Sequence, residues 1–450
     1  MSNQTNTGAG AAARPGLSMP QNFGWALCGS LVYVACQWGM IVAFAKFGST
    51  VMVGQFSLGL AIATPILMFT NLQLRWVQAT DASGQYSFSE YFGLRGTMTL
   101  VAMAVIVAVT LLGNHESATT KVVLAVGCAK CFEALSDVVY GLFQSKDRLD
   151  QIGKSLILRG TLSVAGLSAT LFLTKNAFRS VEALALAWLL VLLSFDIRRA
   201  RRFSGSVAAS AARWLREHPR QWFARQWRLA WLSLPLGIVM TLYALNQSLP
   251  RYFIEARLGE HQLGLFSALS YTTVGVTLVA DALGAAATPK LSRLYASSHL
   301  SRFRVLMMQL AAIGAVLGGS AWLVAKYAGA VLLGIFYNAE YAAHADVFVR
   351  LMSAAGISAF ASLFTYAITS ARNFRIQVPI YALVLGSNAL GCALWVPKSG
   401  LQGAASAVML ASIVQLAAFG IAAAWLFFPG SKAVPAKTPE APEYDYTVSL

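Results

Sequence analysis

The chain has 450 residues, of which 57% are hydrophobic and 12% are charged, and its net charge is +16. A soluble domain carries about 25% charged residues, so this composition excludes an ordinary soluble protein. The basic charge alone would suit nucleic-acid binding, but membrane proteins also concentrate Lys and Arg in their cytoplasmic loops. We therefore expect membrane lipids, and no nucleic acid, among the partners.

The apolar residues form blocks of about 20, the length with which a helix crosses a hydrocarbon core of about 30 Å. The blocks lack the alternation of barrel strands, and helices satisfy their own backbone hydrogen bonds in lipid. The sequence therefore predicts an all-α membrane protein of about twelve transmembrane helices. The predicted spans cover residues 22–45, 52–72, 93–112, 119–142, 155–174, 181–197, 229–249, 263–288, 305–325, 345–369, 376–396 and 403–428.

Six spans precede a basic segment and six follow it, which predicts two six-helix bundles at residues 22–197 and 229–428. The basic segment, 198–228, interleaves nine arginines with tryptophans. This composition is typical of a helix that lies on an anionic membrane surface, and a partner-binding site is the alternative. The polar segment 1–21 and the proline-rich segment 429–450 are predicted to be disordered cytoplasmic tails.

A short repeat relates the two bundles. Ala45-Lys46-Phe47-Gly48 followed by Gly54-Gln55-Phe56-Ser57 resembles Ala256-Arg257-Leu258-Gly259 followed by Gly264-Leu265-Phe266-Ser267. Both copies fall between the first and second span of their bundle. Because six is even, both bundles enter the membrane from the same side, so the repeat predicts a pseudo-twofold axis along the membrane normal with a cleft on that axis.

The fourth span carries a polar stripe. Lys130, Glu133, Asp137, Tyr140 and Gln144 project within about 80° of one another on a helix that turns 100° per residue. A charge that faces lipid in mid-helix costs about 2.5–3.5 kcal/mol, so the stripe is predicted to face the bundle interior or a watery cavity. An ion-pair cluster that only locks the packing is the alternative.

The two acids of the stripe, Glu133 and Asp137, outnumber its one base, Lys130, which leaves the three with a net charge of −1. Like-charge repulsion in a low dielectric favours the binding of a cation. We therefore predict that Glu133 and Asp137 take up a proton or a sodium ion during transport.

Other polar groups lie at helix depth. Arg75, Arg251 and Arg350 are predicted to join Lys130 as cationic contacts in the cleft, because guanidinium forks and ammonium charges suit a diphosphate. For Arg75 and Arg251, which lie near span ends, snorkelling towards water is the alternative. The predicted lining of the polar cavity consists of Gln37, Asn246, Tyr140 and Gln144.

The distribution of basic residues predicts the orientation. With the N-terminus in the cytoplasm, 24 of the 34 Lys and Arg residues fall on the cytoplasmic side and 8 on the outer side. This bias predicts that both termini are cytoplasmic. We expect a multi-pass protein of the bacterial inner membrane.

The sequence has no long outer loop, no Asp-rich metal motif and no phosphate-binding glycine loop. Its five histidines lie in loops or at helix ends and do not pair by spacing. Cys128 and Cys131 form a CxxC without a partner pair, which we interpret as packing. We therefore predict no enzymatic activity, no cofactor and no metal.

The chain resembles the polysaccharide transporter branch of the MOP exporter superfamily, the Wzx-type oligosaccharide-lipid flippases. The similar stretches are Trp25-Ala26-Leu27, Val34-Ala35-Cys36-Gln37-Trp38-Gly39-Met40, Gly54-Gln55-Phe56, Asn71-Leu72-Gln73-Leu74-Arg75, Phe132-Glu133, Ser136-Asp137, Tyr140-Gly141-Leu142-Phe143-Gln144, Arg148-Leu149-Asp150, Pro250-Arg251-Tyr252-Phe253-Ile254-Glu255, Leu263-Gly264-Leu265-Phe266-Ser267-Ala268 and Pro289-Lys290-Leu291.

The resemblance implies two six-helix bundles around a cationic cavity and alternating access. It also implies an undecaprenyl-diphosphate-linked oligosaccharide as substrate, for the biosynthesis of surface polysaccharide such as O-antigen or exopolysaccharide. Polysaccharide polymerase machinery is an expected partner. The alternatives are a multidrug exporter of the same superfamily and a membrane polysaccharide polymerase or ligase.

Overall fold

The computed structural model describes residues 19–81, 84–113, 115–204, 219–371, 373 and 376–427, and those residues are helical apart from short connections. The α-helices cover Met19–Phe47, Thr50–Asn71, Leu74–Thr80, Phe88–Leu112, Ser117–Ser145, Leu149–Thr174, Ala177–Val191, Arg198–Ser204, Pro219–Thr272, Val274–Ala296, Leu300–Phe336, Ala339–Ala342, Ala345–Ser370 and Gln377–Phe427, with a π-helical turn at Leu192–Ile197. Both predicted tails lie outside the described residues, apart from 19–21, which begin the first helix.

The helices account for all twelve predicted spans. Within the described residues, nine helical stretches are long and apolar enough to cross a membrane. Two of them, Arg220–Ala296 and Gln377–Phe427, each contain two spans. The chain reverses inside these two at Gly259 (φ 82°) and Gly400 (φ 55°), in the positive-φ region that favours glycine. The remaining span is the fourth, Ser117–Ser145, whose charged stripe lowers its hydropathy.

The two bundles are related by the predicted twofold axis. The repeat aligns Gly54 with Gly264 and Thr50 with Glu260. A Cβ on Gly54 would lie 2.0 Å from the Glu260 carbonyl oxygen, and a Cβ on Gly264 would lie 1.9 Å from that of Thr50. Such reciprocal contacts are the signature of a twofold axis. The second and eighth spans therefore cross on this axis with their backbones in contact.

Burial differs between the two ends of the molecule. We name the end where the first span begins the basic end, and the opposite end the far end. One apolar cluster at the far end joins both bundles and includes Phe44, Phe56, Leu263 and Phe348. Towards the basic end the first span has few buried residues, and the helix Val274–Ala296 buries Ala280, Gly284 and Leu291. The bundles therefore pack together at the far end, and we place the predicted cleft between their more exposed basic-end halves.

The cleft is closed along one side by the second and seventh spans. Gly237 lies against the carbonyl oxygen of Phe69 near the basic end, and the Tyr252 hydroxyl donates to the carbonyl oxygen of Ala61 further along. The first and eighth spans border the other side, where their basic-end halves are largely exposed. The gap between the halves therefore lies between the first and eighth spans.

Polar contacts reinforce the closure at the far end. The Glu260 carboxylate accepts hydrogen bonds from Gln55 Nε2 at 3.1 Å and from the Thr119 hydroxyl. His115 Nδ1 lies 3.1 Å from Glu255 Oε1. Trp38 Nε1 donates to the Tyr337 hydroxyl at 2.9 Å. Each of these contacts joins one bundle to the other.

The predicted basic linker is described over residues 198–204 and again from residue 219, so Arg213, Trp214 and Arg216 lie outside the described residues. From Pro219 the chain forms one continuous helix with the seventh span. Arg225 forms an ion pair with Glu90 at the start of the third span, and the Trp222 ring lies against Gly93. The start of the second bundle is thereby attached to the first bundle at the basic end.

Candidate functional site

The polar face of the fourth span begins with a lysine and a glutamate. Lys130 Nζ lies 2.6 Å from Glu133 Oε2 and 5.5 Å from the centre of the Trp188 ring. The other oxygen of Glu133 accepts a hydrogen bond from the Tyr33 hydroxyl, which in turn accepts from Gln37 Nε2 at 2.7 Å. Predicted site residues on the first and fourth spans, Gln37 and Glu133, are thus linked through a tyrosine that the sequence analysis did not select.

One turn further, Asp137 contacts two arginines from other helices. Its carboxylate lies 3.1 Å from Arg95 and 3.6 Å from Arg75. Arg95 is fully buried and also donates to the Asn71 side chain. Arg75 is held in place by an abrupt turn, because Leu72 and Gln73 both adopt positive φ and end the second span just before the short helix Leu74–Thr80.

Arg75 also binds the last member of the stripe, since its Nε donates to Gln144 Oε1 at 3.2 Å. Tyr140, which was predicted to line the cavity, packs inside the bundle in this conformation. Tyr140 is 3% exposed, and its hydroxyl lies 2.8 Å from Ser155 Oγ inside the bundle. Its ring lies 5.7 Å from the Arg75 guanidinium carbon, so it supports that arginine from the protein side.

A second ion pair lies deeper in the first bundle. Arg159 and Asp196 are 3.1 Å apart, and both side chains are almost completely buried. Ser155 Oγ donates to Asp196 Oδ1 at 2.6 Å, and the Trp188 ring lies 5.9 Å from the Arg159 guanidinium carbon. Arg95 and Arg159 are among the 24 basic residues counted on the cytoplasmic side, and the structure places both at buried helix positions. Their partners lie on other helices, so no spacing rule along one helix could have revealed them.

These contacts change the charge balance that the sequence predicts. The stripe alone carries −1, but Arg75 and Arg95 join it, and the group of five ionised side chains carries +1. The side chains of Lys130, Glu133 and Asp137 remain 19%, 25% and 31% exposed. Because charges at this depth avoid lipid, the exposed parts face the water of the cleft. The first bundle therefore presents a basic, hydrated wall, which we name the charged wall.

The second bundle contributes two arginines of a different kind. Arg251 lies 5.4 Å from the Tyr271 ring, and its Nε is buried without a hydrogen-bond partner. Arg350 donates to Ser406 Oγ at 2.7 Å. Within the described part of the chain, neither arginine forms an ion pair with a carboxylate. A buried donor without an acceptor is costly, so Arg251 is suited to receive an anionic group.

Asn246 lies on the same helix as Arg251 and is held by a neighbouring span. Its side chain and its backbone carbonyl both accept from Asn388 Nδ2, at 2.8 and 3.0 Å. The second bundle therefore holds its candidate polar residues through neutral partners, whereas the first bundle holds its own through ion pairs.

The five cysteines are free thiols, and Cys131 is buried. Among the described residues, no three or more His, Cys, Asp or Glu side chains come together as metal ligands.

No family model matches the chain. The capsular polysaccharide biosynthesis protein CapF of Staphylococcus aureus is 24% identical over 403 residues, which is 89% of this chain and 98% of CapF. An inward-facing multidrug resistance MATE family transporter of the MOP superfamily aligns with a TM-score of 0.60 and 12% identity, over 91% of this chain and 96% of that one. The lipid II flippase MurJ, in an inward closed conformation, aligns with a TM-score of 0.69 and 11% identity, over 89% and 87%.

This chain has the fold of these two solved structures. The predicted fold class and the resemblance to a polysaccharide transporter of the MOP superfamily are confirmed. In this fold, the charged wall belongs to the first bundle and Arg251 and Arg350 to the second. The solved relatives are transporters and flippases rather than enzymes.

Proposed function

We propose that this protein is a flippase that moves an undecaprenyl-diphosphate-linked oligosaccharide from the cytoplasmic to the periplasmic leaflet of the bacterial inner membrane, for surface polysaccharide biosynthesis. The polysaccharide biosynthesis name of its CapF relative and the lipid II flippase among its structural neighbours support this choice. The excess of basic residues at the basic end supports a cytoplasmic location for that end. The cleft then opens towards the leaflet in which such lipids are assembled.

The observation that carries the proposal is the state of Arg251. Its guanidinium has no carboxylate partner among the described residues and an unsatisfied buried Nε, while the cations of the charged wall are already paired. Arginine binds phosphate through charge-assisted, often bidentate hydrogen bonds. A diphosphate would satisfy the guanidinium, and Arg350 and the exposed part of Lys130 would add further positive charge.

The closed and open sides of the cleft suggest how an amphiphile is accommodated. The second and seventh spans close one side, so the head group enters the cleft while the polyprenyl chain stays in lipid through the gap between the first and eighth spans. Rocking of the bundles about the crossing of Gly54 and Gly264 then exposes the head group at the far end. Neutralisation of the diphosphate by cleft cations lowers the cost of its passage.

Glu133 and Asp137 remain our proposed sites for a coupling proton or sodium ion. Each is paired with cations in this conformation, so the proposal requires that binding or rocking loosens those pairs. The partner machinery that would use the exported sugar is proposed to include a polysaccharide polymerase.

The test is complementation of a deletion strain. We expect Lys130→Ala and Arg251→Ala to lower surface polysaccharide at least about tenfold at equal protein level, as expected for the loss of charged hydrogen bonds. Arg257→Ala, which removes an exposed arginine from the same helix, is the matched control and should retain export.

Unchanged export in both Lys130→Ala and Arg251→Ala would refute the assignment of these residues. A deletion strain that becomes sensitive to cationic drugs while it exports polysaccharide normally would favour the multidrug exporter, which the MATE neighbours allow. Accumulation of unpolymerised sugar already on the outer face would favour a polymerase or ligase.

A further inference from the structure

The second bundle carries an acidic and aromatic cluster that the diphosphate site does not use. Asp281 on the eighth span accepts a hydrogen bond from the Tyr366 hydroxyl at 3.4 Å. Tyr243 on the seventh span makes an edge contact with Tyr381 on the eleventh, with ring centres 6.1 Å apart, and Gln247 Nε2 lies 3.4 Å from the Tyr243 hydroxyl. Tyr243 lies within electrostatic range of both Asp281 and Tyr366, so four spans contribute to one group of polar and aromatic side chains.

Asp281 is exposed, although it lies at helix depth. None of the ion pairs in the described part of the chain includes it. An exposed carboxylate without a counter-ion is not tolerated against lipid, so Asp281 faces the cleft from the side opposite the charged wall. Its free oxygen can only accept hydrogen bonds, so its ligand must supply donors.

The tyrosines give the cluster a fixed shape. A Cβ on Gly284 would lie 2.2 Å from the Tyr366 ring, so that ring rests directly on the backbone of the eighth span, one turn beyond Asp281. Tyr243 is 43% exposed and offers an aromatic face beside Gln247. The group thus combines a flat apolar surface with acceptors and donors at its edge.

We propose that this cluster, Asp281 with Tyr243, Gln247 and Tyr366, is a saccharide subsite that binds hydroxyl groups of the oligosaccharide attached to the diphosphate. This inference rests on the proposed function. A sugar ring presents donor hydroxyls to the carboxylate and C–H groups to the aromatic face, which a lone diphosphate does not. A metal ion fits less well, since a single carboxylate provides too few oxygen ligands.

The positions of Tyr243 and Arg251 along the seventh span agree with separate sites for the sugar and the diphosphate. Tyr243 precedes Arg251 by eight residues, so it lies about 12 Å nearer the basic end at 1.5 Å per residue. A head group with its diphosphate at Arg251 would therefore extend its sugars towards Tyr243 and the cleft opening.

The test measures binding to the full-length protein in nanodiscs with two probes. One probe is undecaprenyl diphosphate without sugar, and the other is the lipid-linked oligosaccharide that accumulates in the deletion strain. We expect Asp281→Asn and Tyr243→Leu to weaken binding of the sugar-bearing lipid about tenfold. The affinity for the sugar-free lipid should stay within about twofold of the wild-type value. Arg251→Ala should weaken both probes. Tyr327→Leu, which alters a 76% exposed tyrosine of the ninth span, should change neither.

If the Asp281 and Tyr243 variants bind both probes equally weakly, the residues have a structural role and the subsite is overturned. Wild-type binding of both probes by these variants would overturn the subsite as well. If the wild-type protein binds neither probe, the proposed function is overturned, and the subsite with it. Melting temperatures of all variants, measured in the same nanodiscs, separate loss of binding from loss of folding.

Discussion

Arg159 and Asp196 illustrate how this membrane protein tolerates full charges in its interior. Both are buried, they face each other at 3.1 Å, and Ser155 satisfies the second carboxylate oxygen. The Asp196 carboxylate lies in the π-helical turn Leu192–Ile197. Breaking such a pair from one side leaves an uncompensated buried charge, which is far more costly than replacing both partners.

We predict that Asp196→Asn destabilises the first bundle by about 3–5 kcal/mol, because Arg159 loses its counter-ion. The melting temperature in detergent should fall, and the double variant Arg159→Met with Asp196→Leu should recover most of the loss. Asp147→Asn, at an exposed loop position with positive φ, is the control and should melt like the wild type. Wild-type melting of Asp196→Asn would contradict the assignment.

A second residue-scale prediction concerns coupling. Glu133→Gln keeps the shape of the side chain and its contact with Tyr33 but removes the charge that holds Lys130. If Glu133 takes up the coupling ion, transport by this variant in proteoliposomes should no longer respond to a proton or sodium gradient. Transport that still follows the gradient would exclude Glu133 from coupling.

The polar stripe of the fourth span could be found from sequence because all its members lie on one helix with a fixed angular spacing. The partners of the stripe could not. Arg95 and Arg75 meet Asp137 from two other helices, and Tyr33 meets Glu133 from the first span. Contacts between helices depend on how the spans pack, which a single sequence does not specify, and for this reason the charge of the whole cluster could not be predicted from the stripe alone.

At the level of helices, hydrophobic blocks of the right length predicted twelve spans because lipid demands long apolar helices. Hydropathy gave no sign that the seventh and eighth spans, and the eleventh and twelfth, join through tight turns at Gly259 and Gly400. The repeat around Gly54 and Gly264 was the stronger signal, because it predicted the axis on which the structure places the crossing of the two bundles.

That crossing gives a prediction about helix packing. Gly264→Ala places a Cβ 1.9 Å from the Thr50 carbonyl oxygen, and overpacking of this kind costs about 1–3 kcal/mol. The far-end contact should open, with longer distances between spin labels across it and slower transport. Gly275→Ala on the same span, where a Cβ meets nothing within 4 Å, is the matched control. Unchanged distances in Gly264→Ala would show that the crossing does not hold the far end closed.

For the molecule as a whole, the orientation is the remaining prediction. The excess of Lys and Arg on one side predicts cytoplasmic termini, and the bias survives the move of Arg95 and Arg159 into buried positions. A green fluorescent protein fused after Leu450 should fluoresce, and alkaline phosphatase fused there should be inactive. Phosphatase inserted after Lys175, in a far-end loop, should be active. The reverse pattern would place the cleft opening in the periplasm.

The cations that the second bundle leaves without acidic partners have an energetic consequence in a living cell. The cytoplasm is electrically negative. Moving one elementary charge across the full membrane potential changes its free energy by about 2.3 kcal/mol per 100 mV. On the proposed function, an anionic head group that leaves the cell moves down this gradient. The emptied carrier, with Arg251 and Arg350 uncompensated, is drawn back towards the inside. Because the head group is neutralised in the loaded carrier, the membrane voltage would act mainly on this return step, and export would slow when the membrane is depolarised.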